Sequence, residues 1–144
     1  MVEIMTVEKG MRGALTFAVV NDGDRPLFLF QTPGMGGFVR GCVIQATDNV
    51  DSIAHLRDPH FLPRFIRIEV GERRLFDWHV DWSTAKGAAG CQELSVSLTV
   101  AGFPRNPEAE LKSMSGAEKK EYLRRNQLLF SAKTDRAPVK TTGP

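Results

Sequence analysis

The chain has 144 residues, of which 42% are hydrophobic and 25% charged, an ordinary composition for one globular domain. Its 19 Lys and Arg residues stand against 17 Asp and Glu residues, and a net charge of +2 is too small to indicate nucleic-acid binding by itself. Glu3, Glu8 and Lys9 interrupt the apolar core that a signal peptide needs, and no apolar run approaches the ~20 residues that span a bilayer. We therefore expect a cytoplasmic protein with reduced cysteines, Cys42 and Cys91.

The segment 14–30 predicts two strands and the turn that joins them. Apolar residues recur at every second position of 14–20, and 27–30 is apolar on both faces. The polar residues 21–24 between them form a turn sequence. We expect the two strands to pair and to seed an all-β core, with residues 2–9 as an opening edge strand.

Residues 31–64 predict one strand between two irregular segments. The glycine-rich stretch 31–37 is expected to be a loop, and 38–47 a strand. Because a strand rather than a helix follows the glycines, a phosphate-binding loop is disfavoured. The two prolines and weak periodicity of 48–64 predict a long crossover with one helical turn.

Three later strands, at 65–70, 74–82 and 92–102, alternate clearly between apolar and polar residues. In the last of them, Val96 is predicted to point inward and Ser97 outward. The strand 74–82 has an aromatic face and an outward face that carries an acidic stripe. Its inward residues are Phe76, Trp78, Val80 and Trp82, and its outward residues are Leu75, Asp77, His79 and Asp81.

The C-terminal third predicts a helical insertion over about 106–126, followed by a strand at 128–133 and a flexible tail at 134–144. Asn106 precedes a proline, a common start for a helix, and Ser115 with Glu118 forms a capping box. The insertion is expected to display basic residues to solvent. These are Lys119, Lys120, Arg124 and Arg125.

Short strands with turns about every ten residues and one helical insertion predict an all-β fold. We expect an Ig-like antiparallel β-sandwich of about seven to eight strands, folded as a single domain over 1–133. The stretch LTFAVVNDGDRPLFLF resembles Ig-like β-sandwich domains of small bacterial proteins, including the intracellular proteinase inhibitors. These often show an L-x-F-x-V-x-N strand, a short polar turn and a proline before the next strand.

The stretch RIEVGERRLFDWHV resembles the later I-x-P-G-E turn and strand of the same domains, with Val70 where proline is usual. The resemblance covers about a third of the chain. It implies a sandwich that binds another protein, and it transfers no inhibitory loop. In immunoglobulin-type sandwiches two cysteines can bridge the sheets, so a disulfide is the alternative to reduced thiols.

The sequence carries no catalytic signature. Neither Cys91 nor the serines lie in a motif that activates a nucleophile, so we expect no enzyme activity. The groups that a metal would use have a spacing unlike that of compact zinc motifs, so we expect no metal and no cofactor. A metal-dependent enzyme or metal-binding module built from these groups is the alternative. The possible metal-binding groups are His55, Asp58, His60, Asp77, His79 and Asp81.

A two-signed charged surface without an active site suits a protein that docks onto another protein. The crossover mixes aromatic, arginine and polar groups, as binding hot spots do, and the acidic stripe adds charge. The predicted partner-binding residues are Arg57, His60, Phe61, Asp77, His79 and Asp81.

The leading hypothesis is therefore a non-enzymatic, cytoplasmic inhibitor or immunity-type antagonist of a bacterial toxin or protease. Its expected partner is a protein, not a membrane or a nucleic acid, and a homo-oligomer is left open. A structural subunit of a larger phage or secretion assembly, with edge strands exchanged between copies, is a further alternative.

Overall fold

A computed structural model describes residues 2–9, 14–31, 37–53, 56, 58–81 and 93–141. Within these ranges the chain forms nine β-strands, two α-helices and one turn of 3-10 helix at Val50–Ser52. The helices are α1 (Glu108–Leu111) and α2 (Gly116–Asn126). The strands are β1 (Val2–Lys9), β2 (Ala14–Val20), β3 (Leu27–Phe30), β4 (Gly37–Arg40), β5 (Val43–Asp48), β6 (Phe65–Ile68), β7 (Arg73–Asp81), β8 (Glu93–Phe103) and β9 (Leu128–Thr141).

The strands form two sheets that share β7 and β9. The first sheet has the order β7-β2-β1-β9, and the second joins β4, β5, β8, β3 and β6 to other parts of β7 and β9. This architecture confirms the all-β prediction. The pairs β1–β9, β4–β7 and β5–β8 are parallel, so the fold differs from the purely antiparallel sandwich that the sequence predicts.

The two strands of segment 14–30 do not pair with each other, contrary to the prediction. β2 lies in the first sheet between β1 and β7, whereas β3 lies in the second sheet between β6 and β8. The side chain of Asn21 fixes this crossing, because it is buried and donates to the backbone oxygens of Arg25 (2.8 Å) and Ile68 (3.0 Å). Both strands turn apolar residues toward the space between the sheets, so alternation alone does not distinguish a crossing from a hairpin.

The strand predicted over 38–47 is in fact two strands, β4 and β5, which pair antiparallel. The chain reverses at Gly41, whose φ of 62° lies in the left-handed region that glycine adopts without strain. This reversal adds a ninth strand to the seven or eight that the sequence predicts.

The inner core lies between the two sheets. The predicted inward residues Val96 and Trp78 are 0% and 6% exposed, which confirms the registers of β8 and β7. Trp78 meets Phe17 of β2 edge to face, with ring centroids 4.5 Å apart. The other buried members are Leu15, Val19, Leu27, Leu29, Ile44, Ala46, Ile68, Leu94, Leu98, Val100 and Ala137.

The helical insertion covers the outer face of the second sheet. α2 begins at the predicted capping box, in which the Ser115 side chain accepts from the Glu118 N–H and the Glu118 side chain accepts from the Ser115 N–H. Both helices bury leucines against aromatic residues that point away from the inner core. This outer core consists of Phe30, Val50, Ile53, Leu56, Ala101, Phe103, Leu111 and Leu123.

The segment predicted to be a flexible tail is instead the second half of β9 as far as Thr141. It pairs with β8 up to Pro138 and then with β1 at 139–141. Its one proline and its few large apolar residues hide the strand from sequence reasoning. Ala137 is nevertheless buried in the inner core, and residues 142–144 lie outside the described residues.

Cys42 is disulfide-bonded, which corrects the prediction of reduced thiols. It follows Gly41 in the turn between β4 and β5, and its carbonyl accepts a hydrogen bond from the Ser95 N–H of β8 at 3.0 Å. The sequence contains one other cysteine, Cys91, which lies outside the described residues. We therefore expect Cys91 to be the bonded partner.

Protein purified without reductant is expected to contain no free thiol, and peptide mapping under non-reducing conditions should link Cys42 to Cys91. Because the cross-link restricts the unfolded chain, its reduction should lower the free energy of unfolding by about 2–4 kcal/mol. Two titratable thiols in the folded, unreduced protein would contradict this expectation.

Candidate functional site

The crossover segment 58–64 packs across the outer core. Phe61 and Leu62 are half-buried against that core and Pro63 is buried, whereas Asp58 and His60 are exposed. The His60 N–H donates to Asp58 Oδ1 at 2.9 Å, which closes a short side-chain-to-backbone turn. The segment therefore places apolar groups inward and polar groups toward solvent.

Lys119 of α2 anchors the crossover segment from beneath. It is 1% exposed, and its Nζ donates to the backbone oxygens of Asp58 (2.8 Å) and Phe61 (2.5 Å). The prediction that Lys119 is displayed to solvent is therefore wrong. The Asp58 carbonyl also accepts from the Phe61 N–H at 3.1 Å, so the buried Lys119 ammonium reinforces a turn that the backbone already closes.

Further hydrogen bonds hold the far end of the crossover segment. The Arg64 carbonyl accepts from the Gln31 N–H at 2.8 Å, and the Phe65 N–H donates to Glu108 Oε1 of α1 at 2.9 Å. The segment is thus fixed at both ends and in the middle by Gln31, which follows β3, and by groups from α1 and α2. Its shape is set before any ligand arrives.

A concave groove of about 330 Å³ opens beside this segment, and we call it the crossover groove. The buried side chains of Phe30 and Ile53 form its base. Arg64 is exposed at its side and forms no ion pair with any residue that the structure describes, so its guanidinium is available to a ligand. The full lining is Phe30, Gln31, Ile53, Phe61, Leu62, Pro63 and Arg64.

No family model matches this chain. Likewise, no curated protein and no solved structure shows significant similarity to it. The site is therefore interpreted from its own geometry.

Among the described helices, none is long and apolar enough to cross a membrane.

The predicted site residues fall on two separate faces. Phe61 lines the crossover groove, and His60 lies next to it in the chain, on the outer side of the second sheet. Asp77 points outward from the first sheet, because its neighbours Phe76 and Trp78 both pack in the inner core. There its carboxylate accepts from the Thr16 hydroxyl at 2.5 Å.

The remaining predicted residues are only partly placed. Arg57 lies outside the described residues, as do the side chains of His79 and Asp81, whose backbones belong to β7. The structure places His60 and Asp77 on separate faces. His55 also lies outside the described residues, so the metal alternative stays a prediction. Within the described part of the chain, no group of three or more His, Cys, Asp or Glu could hold a metal ion.

Asp48 is a candidate residue that sequence reasoning misses. It ends the alternating inward stripe of β5 after Ile44 and Ala46, and it is 2% exposed. Burial raises its pKa from the ordinary 3.8 to about 7. The available signal was the period-two pattern of β5, which places a carboxyl where the core expects an apolar side chain.

Replacing Lys119 with Met should lower the free energy of unfolding by about 2–4 kcal/mol, because the stem stays packed while the Asp58 and Phe61 carbonyls lose their charge-assisted hydrogen bonds from Nζ. Urea unfolding measures the loss. The matched control is Lys120→Met, since Lys120 makes only a surface contact with Asp51 at 3.5 Å, worth less than about 1 kcal/mol. Equal effects of the two substitutions would show that Lys119 does not anchor the segment.

Proposed function

We propose that the protein is a non-enzymatic binding module whose crossover groove takes a segment of a protein partner. One observation carries the proposal: the groove wall is held in place by the buried ammonium of Lys119 on the Asp58 and Phe61 carbonyls. A surface fixed before binding loses little conformational entropy when a partner arrives.

The chemistry of the groove indicates what the partner segment offers. Its apolar base, formed by Phe30 and Ile53 with Phe61 at the side, suits an apolar or aromatic side chain of the partner. The guanidinium of Arg64 favours a carboxylate next to that side chain. We infer a partner segment with an apolar anchor flanked by Asp or Glu.

The most specific form of this function is an inhibitor or immunity-type antagonist of a bacterial toxin or protease. Such an antagonist has to hold one segment of its target on a rigid surface, and the anchored crossover segment is a surface of that kind. His60 and Phe61 remain the proposed partner-binding residues, joined now by Arg64. Asp77 belongs to a separate face and is a contrast in the test.

The test compares capture of proteins from a lysate of the native host by the full chain and by charge-reversed variants. Arg64→Glu should abolish capture of the specific partner, and with the purified partner it should weaken binding at least tenfold. Arg105→Glu makes the same charge change at an exposed arginine that does not line the groove, so it should bind normally. Thermal unfolding should show that both variants are folded.

Two outcomes would overturn the proposal. If Asp77→Lys removed the partner while Arg64→Glu retained it, the binding face would be the first sheet. If Arg64→Glu and Arg105→Glu weakened binding equally, the effect would be one of net charge rather than of the groove. Deletion of the C-terminal residues after 134 cannot serve as a control for partner binding, because it removes part of β9.

The disulfide also bears on where the protein acts. Disulfides persist in oxidising compartments and are rare in the cytosol, so the bond at Cys42 favours an oxidising compartment over the cytoplasmic location that the sequence predicts. The thiol state of the protein isolated from its native host tests this choice.

An Ig-like relationship also stays a proposal, supported by two sheets that enclose one inner core.

A further inference from the structure

Asp48 faces a cavity of about 10 Å³ at the edge of the inner core. Its Oδ1 atom is buried and has no hydrogen-bond partner among the residues that the structure describes. The space corresponds to about one water molecule, so nothing larger reaches the carboxyl in this conformation. The cavity walls are apolar throughout and consist of Phe17, Leu29, Phe30, Phe76, Trp78 and Val100.

No charged or titratable side chain of the described residues faces Asp48 from the strands that pack against it. β2, β3, β7 and β8 contribute only apolar groups to the cavity. On its own side of the core, the next carboxyl is that of Asp51, which is exposed and held by Arg124 at 2.7 Å and Lys120 at 3.5 Å. The carboxyl of Asp48 is therefore stable in this place as a neutral group, and its ionisation demands water.

Two connections join Asp48 to the crossover groove. Phe30 lines both the cavity and the groove, so this one residue borders the two spaces. Asp48 is also the last residue of β5, two positions before the 3-10 turn that leads to Ile53 at the groove base. A carboxylate that moves toward water on this side displaces Phe30 or the turn.

We propose that Asp48 is a proton switch of the crossover groove, which is intact while the carboxyl is neutral and opens at its base when the carboxyl ionises. The effect of this switch on partner affinity rests on the proposed function. The titration of Asp48 and the opening of the groove do not, because both are measured first without any partner.

The pH dependence of folding stability follows from the pKa of Asp48 in the folded and unfolded states. Burial gives the folded protein a pKa of about 7 at Asp48, against 3.8 for an ordinary aspartate. The stabilising contribution of the neutral carboxyl is therefore complete below about pH 4 and is lost as the pH rises to about 7. Across that window the unfolding equilibrium constant should rise about tenfold per pH unit through this group alone.

Equilibrium unfolding in urea from pH 4.5 to 8.5 measures this effect. Asp48→Asn keeps the size of the side chain and removes its titration. The ratio of the wild-type unfolding constant to that of Asp48→Asn should rise about tenfold per pH unit up to pH 6.5 and level off above pH 7.5. Asp51→Asn, which removes an exposed carboxyl nearby, should follow the wild type in this range. A ratio that does not change with pH would overturn the proposal.

NMR separates a switch from a buried acid that merely destabilises the fold. The carboxyl carbon of Asp48 should titrate near pH 7, and the Val50 and Phe61 amide signals should shift with the same midpoint. In Asp48→Asn those amide signals should not shift there. If the carboxyl titrates near pH 4, or if the two amides do not follow it, Asp48 does not control the groove.

Once a partner is purified, its affinity should depend on the fraction of neutral carboxyl. That fraction falls about tenfold between pH 6 and 8 for a group with a pKa of about 7, so the wild-type dissociation constant should rise about tenfold. Asp48→Asn should bind equally at both values. A pH-independent wild type would overturn the switch and leave groove binding standing, whereas loss of groove binding would leave the NMR result intact.

Discussion

The Val96→Asp variant is expected to be unfolded in water at pH 7. Val96 is fully buried in the middle of β8, which pairs with β9, β5 and β3 and so connects most of the second sheet. An aspartate at this position has no partner among the apolar residues of the inner core. Burying its charge or neutralising it at pH 7, together with the disturbed packing, removes most of the ~5–15 kcal/mol that typically stabilises a domain. Far-UV circular dichroism and urea titration would report the loss of structure.

Ser97→Asp is the matched control for this variant. Ser97 is the next residue of the same strand, is exposed, and lies opposite Lys133 of β9. An aspartate there stays in water and gains a favourable cross-strand neighbour, so the free energy of unfolding should change by less than about 1 kcal/mol. If both substitutions were tolerated equally, the register of β8 would be wrong.

The inward and outward faces of individual strands could be predicted because they depend on local alternation. Val96 and Trp78 point inward as their patterns require, and the capping box at Ser115 needs only four neighbouring residues. In each case the physical cause lies within a few residues of its effect, where a single sequence is most informative.

Strand partners and buried polar groups depend instead on residues far apart in the chain. Alternation shows that β2 and β3 each have an apolar face, but it does not show that the faces belong to opposite sheets. In the sequence, Lys119 resembles any exposed lysine of a helix. Its burial depends on the Asp58 and Phe61 carbonyls, which lie about 60 positions earlier in the chain. The crossover groove was therefore found only in part, through Phe61, and its anchor was missed.

Trp78→Ala is expected to lower the free energy of unfolding by about 3–5 kcal/mol, because it leaves a large void beside Phe17 and Phe76. Trp78 is 6% exposed and packs within the inner core. The matched control is Leu75→Ala on the same strand, where the side chain is 56% exposed, so the change should be small. Urea unfolding at pH 5, where Asp48 is mostly neutral, measures both.

The same substitution should also weaken the pH dependence of stability. Trp78 is one wall of the cavity at Asp48, so its truncation opens space for several water molecules next to the carboxyl. Water there solvates the ionised form and so returns the pKa of Asp48 toward its ordinary value. The pKa of this group then differs less between the folded and unfolded states. The destabilisation by Trp78→Ala should accordingly be smaller at pH 8 than at pH 5, whereas Leu75→Ala should show the same small effect at both. An equal loss at the two pH values would mean that the cavity stays dry, and that burial by Trp78 is not what holds the carboxyl neutral.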